Sequence, residues 1–417
     1  DPLTQLIQQA ILLLTILTAL ISTDGGFTDH VGEYFLLLLL ATVGMMFLVS
    51  TANILMIFIS LELLSLSLYL LTAFNKQNLA SAEAALKYFL FGGMSAAFML
   101  FGLSLVYGLS GELNLGKIAA KLGAPPLDPL LVAALVMLVT GFGFKVAAVP
   151  FHLWAPDAYQ GAPTPSAAFI ASGSKVASFY VLARVLMSGF HDAAGSGAWR
   201  GFSPGWVPLL AIVAAFSMVL GNLAAIAQKS VRRLLAYSAI AQAGYMLVGL
   251  LADNPQGLAA LIFYAVTYAF TILGAFAVVG AVPQAASGDT FAAFAGLRQR
   301  APLLALSMMV FMLSLAGIPP LVGFFGKFYL FTAAVRSTPQ NLGLLWLVVL
   351  AIAMSAVSLY YYLQVLKQIF VAAPLAGAPA IEVSRSTNVL VTLLALAALV
   401  VGGAPNLLLG RLVALIK

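Results

Sequence analysis

Residues 141–157 read GFGFKVAAVPFHLWAPD, an apolar run that holds both a lysine, Lys145, and a proline, Pro150. A proline inside a helix removes one backbone donor and frees the carbonyl four residues earlier, which here is that of Val146. In hydrocarbon such a freed carbonyl needs a partner, which is commonly water or a polar cavity lined by protein. The run therefore predicts a broken membrane helix with a buried cation beside the break.

The composition of the whole chain is that of an integral membrane protein. Its 417 residues are 63% hydrophobic and 8% charged, and the mean hydropathy is +1.07. Soluble domains carry about 25% charged residues. The apolar stretches are roughly 20 residues long, as membrane helices require, and do not show the short alternating segments of a barrel. We therefore predict an all-α, polytopic helix bundle that forms a single multi-pass transmembrane domain over residues 1–417.

The same composition limits the redox chemistry of the chain. It has no cysteine and three histidines, His30, His152 and His191. This excludes Cys-ligated iron–sulfur clusters and zinc ribbons, and leaves no usual ligand set for a pair of haems. Any electron transfer coupled to this chain is therefore expected to take place in another protein. The loop lysines and arginines are divided almost evenly between the two faces, so charge only weakly favours the face of Lys76 and Lys229 as cytoplasmic.

Hydropathy and helix breakers place twelve spans along the chain. They are residues 3–22, 33–50, 52–74, 79–108, 128–149, 163–189, 204–227, 231–252, 257–282, 301–316 continuing to 336, 340–371 and 386–412. The fifth is interrupted at Pro150 and the tenth by the glycine and prolines of residues 317–320, where Pro320 frees the carbonyl of Ala316. Two interrupted helices, five spans apart and so opposite in direction, indicate two inverted half-repeats, at about 33–189 and about 204–371.

Five ionisable side chains fall inside the apolar spans: Glu62, Lys87, Lys145, Lys175 and Lys327. Each costs about 2.5–3.5 kcal/mol at the bilayer centre if unpaired. Lys87 has a structural explanation, since Glu83 lies four residues earlier on the same helix. Glu62 and Lys145 are also explained by a static buried pair, but one glutamate does not neutralise four lysines. We therefore predict a proton relay through these five residues.

Two further residues are candidates for the same path. His152 follows the first break and titrates near neutrality, so it is a candidate link between the lysines and one aqueous face. The alternative is an interfacial histidine beside Trp154 in an aromatic belt. Tyr237, with Tyr264 and Tyr268, is a candidate for holding water in the second half, although membrane tyrosines usually pack with one satisfied hydroxyl.

Several segments resemble the antiporter-like membrane subunits of proton-pumping NADH:quinone oxidoreductase (respiratory complex I), and subunit N most closely. The resembling segments are residues 61–69, 83–89, 145–165, 233–245 and 317–327. By this resemblance Glu62 matches the family's glutamate, while Lys145, Lys175 and Lys327 match the lysines of its first broken helix, the next helix and its second broken helix. Bacterial members have fourteen spans, so by this resemblance the two further spans would precede Asp1, and either the sequence is truncated there or the chain is a shortened form.

The resemblance also implies the surroundings of the chain. It implies a bacterial inner membrane, with the antiporter-like subunit M and the small subunits K and J as neighbours. NADH, flavin, iron–sulfur clusters and quinone are expected in partner subunits, with no cofactor in this chain. Two other functions stay open: a subunit of a multi-subunit cation/proton antiporter, which the scarcity of buried acids disfavours, and a membrane-arm subunit with a purely structural role.

Overall fold

The fold is an α-helical membrane bundle. The computed structural model describes residues 1–23, 25–122, 126–282, 289–337, 342–374 and 381–416. Within these residues the only extended pairings are isolated bridges such as that between Asn53 and Asn114. Among the described residues eleven helical segments are long and apolar enough to cross a membrane, and one of them, residues 164–189, consists of two consecutive helices. The predicted all-α polytopic bundle is therefore confirmed, whereas its division into two inverted half-repeats stays a prediction.

The helices follow one another with short connections. The first part of the described chain contains α1 (Pro2–Ser22), α2 (Val31–Ser50), α3 (Ile54–Thr72), α4 (Leu79–Ser110), α5 (Leu115–Ala119), α6 (Pro129–Val146), α7 (Ala155–Gly161), α8 (Thr164–Ala171) and α9 (Gly173–Gly189). The second part contains α10 (Trp206–Ile226), α11 (Val231–Leu251), α12 (Pro255–Ala281), α13 (Leu297–Arg300), α14 (Pro302–Ala316), α15 (Val322–Ser337), α16 (Leu345–Phe370), α17 (Arg385–Gly403) and α18 (Asn406–Ile416).

The predicted spans match these helices, with two corrections. The last predicted span, 386–412, is two helices, because α17 ends at Gly403 and α18 begins after Pro405, whose ring cannot continue the preceding helix. The sixth predicted span, 163–189, is interrupted at Ser172, where φ is −113° and ψ is −85°. Ser172-Gly173-Ser174 carries the small residues at which helices commonly kink, but uniform hydropathy concealed the interruption.

Three membrane-length segments form the interior of the bundle. The most apolar windows of α8–α9, α11 and α12 are each 94% buried, whereas those of the other membrane-length helices are 33–56% buried. The outer helices present large apolar side chains on their free faces, such as Leu36 (57% exposed) and Phe47 (55% exposed). An apolar surface of this kind is matched to lipid. Polar side chains on the three inner segments are therefore shielded from both lipid and bulk water.

Both predicted helix breaks are present. α6 ends at Val146, and Ala147 then adopts a left-handed conformation with φ of 58°, while the Ala148 N–H donates to the Gly143 carbonyl at 2.8 Å. α14 ends at Ala316, and Gly317 turns the chain with φ of 89°. These caps satisfy some of the last carbonyls of each helix and leave others for side chains.

The second break depends on a close approach of two helices at Gly323. A Cβ atom at this position would lie 1.9 Å from the Ser314 carbonyl oxygen, which belongs to the backbone of α14. Gly323→Ala is therefore expected to push α15 away from α14 and to lower the stability by about 1–3 kcal/mol, the usual cost of overpacking. Thermal unfolding in detergent measures the change. Gly93→Ala is the matched control, because a Cβ there meets nothing within 4 Å; equal midpoints for both variants would contradict the expectation.

Candidate functional site

Lys145 lies in the last turn of α6, immediately before the first break. Its Nζ donates a hydrogen bond to Ser65 Oγ on α3 and lies 5.2 Å from the centre of the Phe144 ring. Ser65 in turn donates to the Leu61 carbonyl one turn earlier. The side chain of Lys145 is half-buried, whereas those of Lys175 and Lys327 are buried.

Glu62 does not contact Lys145 directly, which corrects the expectation of an adjacent pair. Glu62 is half-buried on α3, one turn before Ser65. The ion pairs of 4.0 Å or less among the described residues involve other acids, such as Asp157, and do not include Glu62. A serine hydroxyl occupies the position next to the ammonium group, and hydropathy alone gives no sign of that tertiary contact.

Lys87 lies in an ion-pair cluster near the start of α4. Its Nζ is 2.6 Å from Glu83 Oε1 and 2.9 Å from Asp157 Oδ2, while Asp157 Oδ1 accepts a hydrogen bond from Arg233 Nη1 at 2.6 Å. The side chain of Lys87 is 41% exposed. The pair with Glu83 is therefore confirmed and extended by two residues distant in sequence. Lys87 has acidic partners, which separates it from Lys145, Lys175 and Lys327, whereas its role in a relay stays a prediction.

Lys175 is held in the interior of the bundle. It lies in the first turn of α9, just after the interruption at Ser172, and is 2% exposed. Its Nζ donates to the Ala239 carbonyl of α11 at 2.7 Å and lies 5.9 Å from the centre of the Tyr268 ring. Its partners are thus a carbonyl and an aromatic face; the ion pairs of the described residues do not include Lys175.

Lys327 occupies the second break and is 4% exposed. Its Nζ donates to the Leu315 and Ala316 carbonyls at 3.0 and 3.1 Å and to Ser355 Oγ at 2.9 Å, with the Tyr245 ring centre 4.8 Å away. The Ala316 carbonyl is the one that the sequence predicts to be freed by the proline at 320. The end of α14 carries partial negative charge, which favours a cation. The break therefore provides the acceptors that hold this lysine.

Gln242 links the surroundings of the two buried lysines. It is fully buried on α11, and its Nε2 donates to the Leu315 carbonyl at 3.0 Å, the carbonyl that also accepts from Lys327. Its Oε1 accepts from Tyr264 Oη at 2.5 Å. Gln242 follows the acceptor of Lys175, Ala239, by three residues, so both lie on one face of α11.

Polar groups thus line α11 from Ala239, which bonds Lys175, to Gln242, which shares the Leu315 carbonyl with Lys327; among the described residues the hydrogen bonds of this polar path include no carboxylate. Tyr362 adds to this path, because its hydroxyl forms hydrogen bonds with Ser238 Oγ at 2.5 Å and with Gln242 Nε2 at 3.3 Å. The sequence interpretation did not single out Gln242. The available signal was an amide side chain within the otherwise apolar stretch of residues 239–251.

The two remaining candidates have different surroundings. Tyr237 is half-buried, and the side-chain hydrogen bonds of the described residues do not include its hydroxyl, so the structure does not bring it into the polar path. His152 is 6% exposed, and its Nδ1 is buried without a hydrogen-bond partner among the described residues. Trp154 is buried and stacks on Tyr88 with ring centres 4.1 Å apart. Trp154 therefore packs inside the bundle, whereas the position of His152 relative to an aqueous face stays a prediction.

The chemistry available here is proton exchange at amines. The part of the chain that the structure describes contains no group of three His, Asp or Glu side chains arranged to hold a metal ion. Buried ammonium groups whose acceptors are carbonyls and hydroxyls lack a fixed counter-charge, and burial disfavours the charged form. Such groups can gain and lose protons when a nearby charge changes.

The chain is similar in sequence and fold to known membrane proteins. A family profile described as NADH:quinone oxidoreductase/Mrp antiporter, TM, matches residues 51–358. The chain is 56% identical to NADH-quinone oxidoreductase subunit N 2 of Acidobacterium capsulatum, over 98% of this chain and 84% of that protein. A chain of respiratory complex I from Thermus thermophilus with bound aureothin is 40% identical, with a TM-score of 0.82, over 97% of this chain and 86% of that chain. A chain of the Mrp complex from a Dietzia species has a TM-score of 0.86 at 22% identity, over 100% and 83% of the two chains, a similarity in fold alone.

Proposed function

Because the chain belongs to the NADH:quinone oxidoreductase/Mrp antiporter family, we propose that it is the proton-translocating membrane subunit N of an NADH:quinone oxidoreductase. Protons pass through a relay of Glu62, Lys145, Lys175 and Lys327. Quinone reduction in partner subunits supplies the energy. NADH, flavin, iron–sulfur clusters and quinone belong to those partners.

One observation carries this proposal: Lys175 and Lys327 are both at least 96% buried, Lys175 bonds the Ala239 carbonyl of α11, and Lys327 shares the Leu315 carbonyl with Gln242, three residues further along α11. A lysine at the bilayer centre costs about 2.5–3.5 kcal/mol by insertion measurements. A purely structural role is better served by apolar side chains of similar volume. Two such lysines on one polar path support proton transfer between them.

Glu62 acts on Lys145 at a distance rather than by direct contact. Two unit charges interact by about 4 kcal/mol at 4 Å and an effective dielectric constant of 20, and more weakly beyond that distance. The attraction favours the protonated form of Lys145. Moving Glu62 away, or neutralising it, therefore promotes release of a proton from Lys145 towards Lys175. Ser65, which accepts from Lys145 Nζ, is placed to hold the lysine while this charge changes.

The half-buried state of Glu62 and Lys145 supports an assembly partner on this side of the bundle. Charged groups inside a membrane face protein or water rather than lipid. We assign the covering partners to the small membrane subunits K and J, with the antiporter-like subunit M as the other neighbour. The assembly lies in the inner membrane of a bacterium.

The experiment that tests the proposal is NADH-driven proton uptake by proteoliposomes that contain the complex with Lys145→Ala. We expect less proton uptake per NADH oxidised, because the relay loses its first lysine. Lys367→Ala is the matched control, since Lys367 is exposed at the end of α16. Undiminished pumping at unchanged electron flux would overturn the proposal. Proton flux driven by a sodium gradient without an electron donor would instead support a cation/proton antiporter.

A further inference from the structure

A cavity of about 370 Å³ lies where several helices begin, away from the lysine path. Its wall includes residues at or next to the starts of three helices: Asn78 before α4, Thr164 at the start of α8 and Ser384 before α17. Arg232, in the first turn of α11, completes it. We call it the N-end cavity. Its volume falls within the range of roughly 300–1,000 Å³ that is typical of ligand sites.

Arg232 brings a permanent positive charge to this wall. It is 7% exposed, and its guanidinium donates to the Gln160 and Ala162 carbonyls at 3.2 and 3.3 Å and to the Thr164 hydroxyl. Its Nε is buried without a hydrogen-bond partner among the described residues. The ion pairs of 4.0 Å or less in that part of the chain involve Arg233, the next residue, and not Arg232.

All hydrogen-bond acceptors of Arg232 are therefore neutral. Arginine stays protonated in proteins. Asp289 attracts Arg232 from beyond ion-pair distance and does not line the cavity, so the buried charge is only partly compensated, which is costly. An anion in the cavity next to Arg232 would supply the remaining counter-charge.

The helix starts add to the positive potential. The first turn of a helix carries partial positive charge and unpaired N–H groups, which favour anions. Two helix ends oppose this, because the last turns of α1 and α12 reach the cavity through Ile21 and Ala281. Glu382 is the one acidic lining residue in the described part of the wall, and it is exposed, so water and salt screen it. Among the described lining residues, Arg232 is thus the one buried charge in the cavity.

We propose that the N-end cavity binds a phosphate group, from either an anionic phospholipid or free phosphate. Arginine is well suited to phosphate, and helix starts bind phosphate oxygens through their N–H groups. The cavity lies at the ends of membrane-length helices, which is the level of lipid headgroups, and basic pockets between membrane helices bind anionic headgroups. This site is independent of the proposed proton transport.

The test measures binding to the purified complex in neutral detergent by the shift of its thermal unfolding midpoint, because a ligand that binds only the folded state raises that midpoint. The three probes are phosphatidylglycerol, phosphatidylcholine and inorganic phosphate. We expect phosphatidylglycerol or inorganic phosphate to stabilise the protein and phosphatidylcholine not to do so. Stabilisation by inorganic phosphate alone identifies free phosphate as the source, and stabilisation by phosphatidylglycerol alone identifies the lipid.

Two variants are designed to abolish binding at the cavity by different physical means. Arg232→Gln removes the charge, and Ala281→Phe fills the cavity while leaving Arg232 in place. Each is expected to weaken binding roughly tenfold or more, as loss of a charge-assisted hydrogen bond does. Arg298→Gln removes an exposed arginine that does not line the cavity and is expected to bind like the wild type. If Arg232→Gln does not fold, Ala281→Phe decides alone, and wild-type affinity in Ala281→Phe would overturn the proposal.

Discussion

Replacing Lys327 by methionine is expected to abolish the proton transport that passes through this chain. Methionine has nearly the length of lysine but carries no exchangeable proton. It would leave the Leu315 and Ala316 carbonyls and the Ser355 hydroxyl without the ammonium that now bonds all three. The measurement is proton uptake per NADH oxidised by proteoliposomes that contain the assembled complex. The whole contribution of this chain is expected to disappear from that ratio.

A second substitution at the same position separates proton exchange from charge. Lys327→Arg keeps a cation at the end of α14, but a guanidinium does not release its proton in a protein. It is therefore expected to assemble like the wild type and still to lose transport. Lys229→Met is the surface control, because Lys229 is exposed. Wild-type pumping in Lys327→Arg would contradict a relay role, and failure of both Lys327 variants to assemble would favour a structural one.

The sequence predicts both breaks correctly because their causes are local. Proline and glycine act on the backbone within a few residues, and a lysine beside each break is visible in the printed chain. The freed carbonyl at the second break was predicted at Ala316, and the structure supplies its partner, Lys327. The carbonyl of Ala316 and the buried Lys327, which the sequence shows separately, thus form one hydrogen bond.

Contacts between segments that are distant in sequence cannot be predicted from such local signals. Asp157 joins Lys87 and Arg233, which lie 70 residues before it and 76 residues after it. Lys145 of α6 bonds Ser65 of α3 rather than Glu62, which lies one turn earlier on the same helix. Hydropathy and breakers report on one helix at a time, so they identified the charged residues and the pair of Glu83 with Lys87 within α4, but not the contacts between different helices.

The role of Gln242 could not be predicted from the sequence either, although the residue is polar and uncharged. A glutamine in an apolar helix is a weak signal by itself, since amides also bond within their own helix or face a neighbour. Its importance follows only from the positions of its partners. Leu315 is available as an acceptor because α14 is near its end, and Tyr264 comes from α12. The break, the lysine and the glutamine are therefore best understood as one unit.

Replacing Gln242 by leucine is expected to slow proton transfer between Lys175 and Lys327. Leucine has a similar volume, but it leaves the Tyr264 hydroxyl without its acceptor and the Leu315 carbonyl with only Lys327. An unpaired buried polar group costs about 1–3 kcal/mol. If that cost is expressed in the transfer step, the rate falls roughly 5- to 150-fold.

The effect of Gln242→Leu is measured as proton uptake per NADH oxidised, with the Lys327→Met complex as the baseline in which this chain is expected to transport no protons. The difference in proton uptake between the wild type and Lys327→Met is the contribution of this chain, and Gln242→Leu is expected to lose most of that difference while both lysines remain. Gln364→Leu is the matched control, because Gln364 is a half-buried glutamine of α16 outside the side-chain hydrogen bonds of the described residues. Equal uptake by Gln242→Leu and Gln364→Leu would mean that protons bypass α11. A loss confined to Gln242→Leu would follow from its position beside the carbonyl that it shares with Lys327.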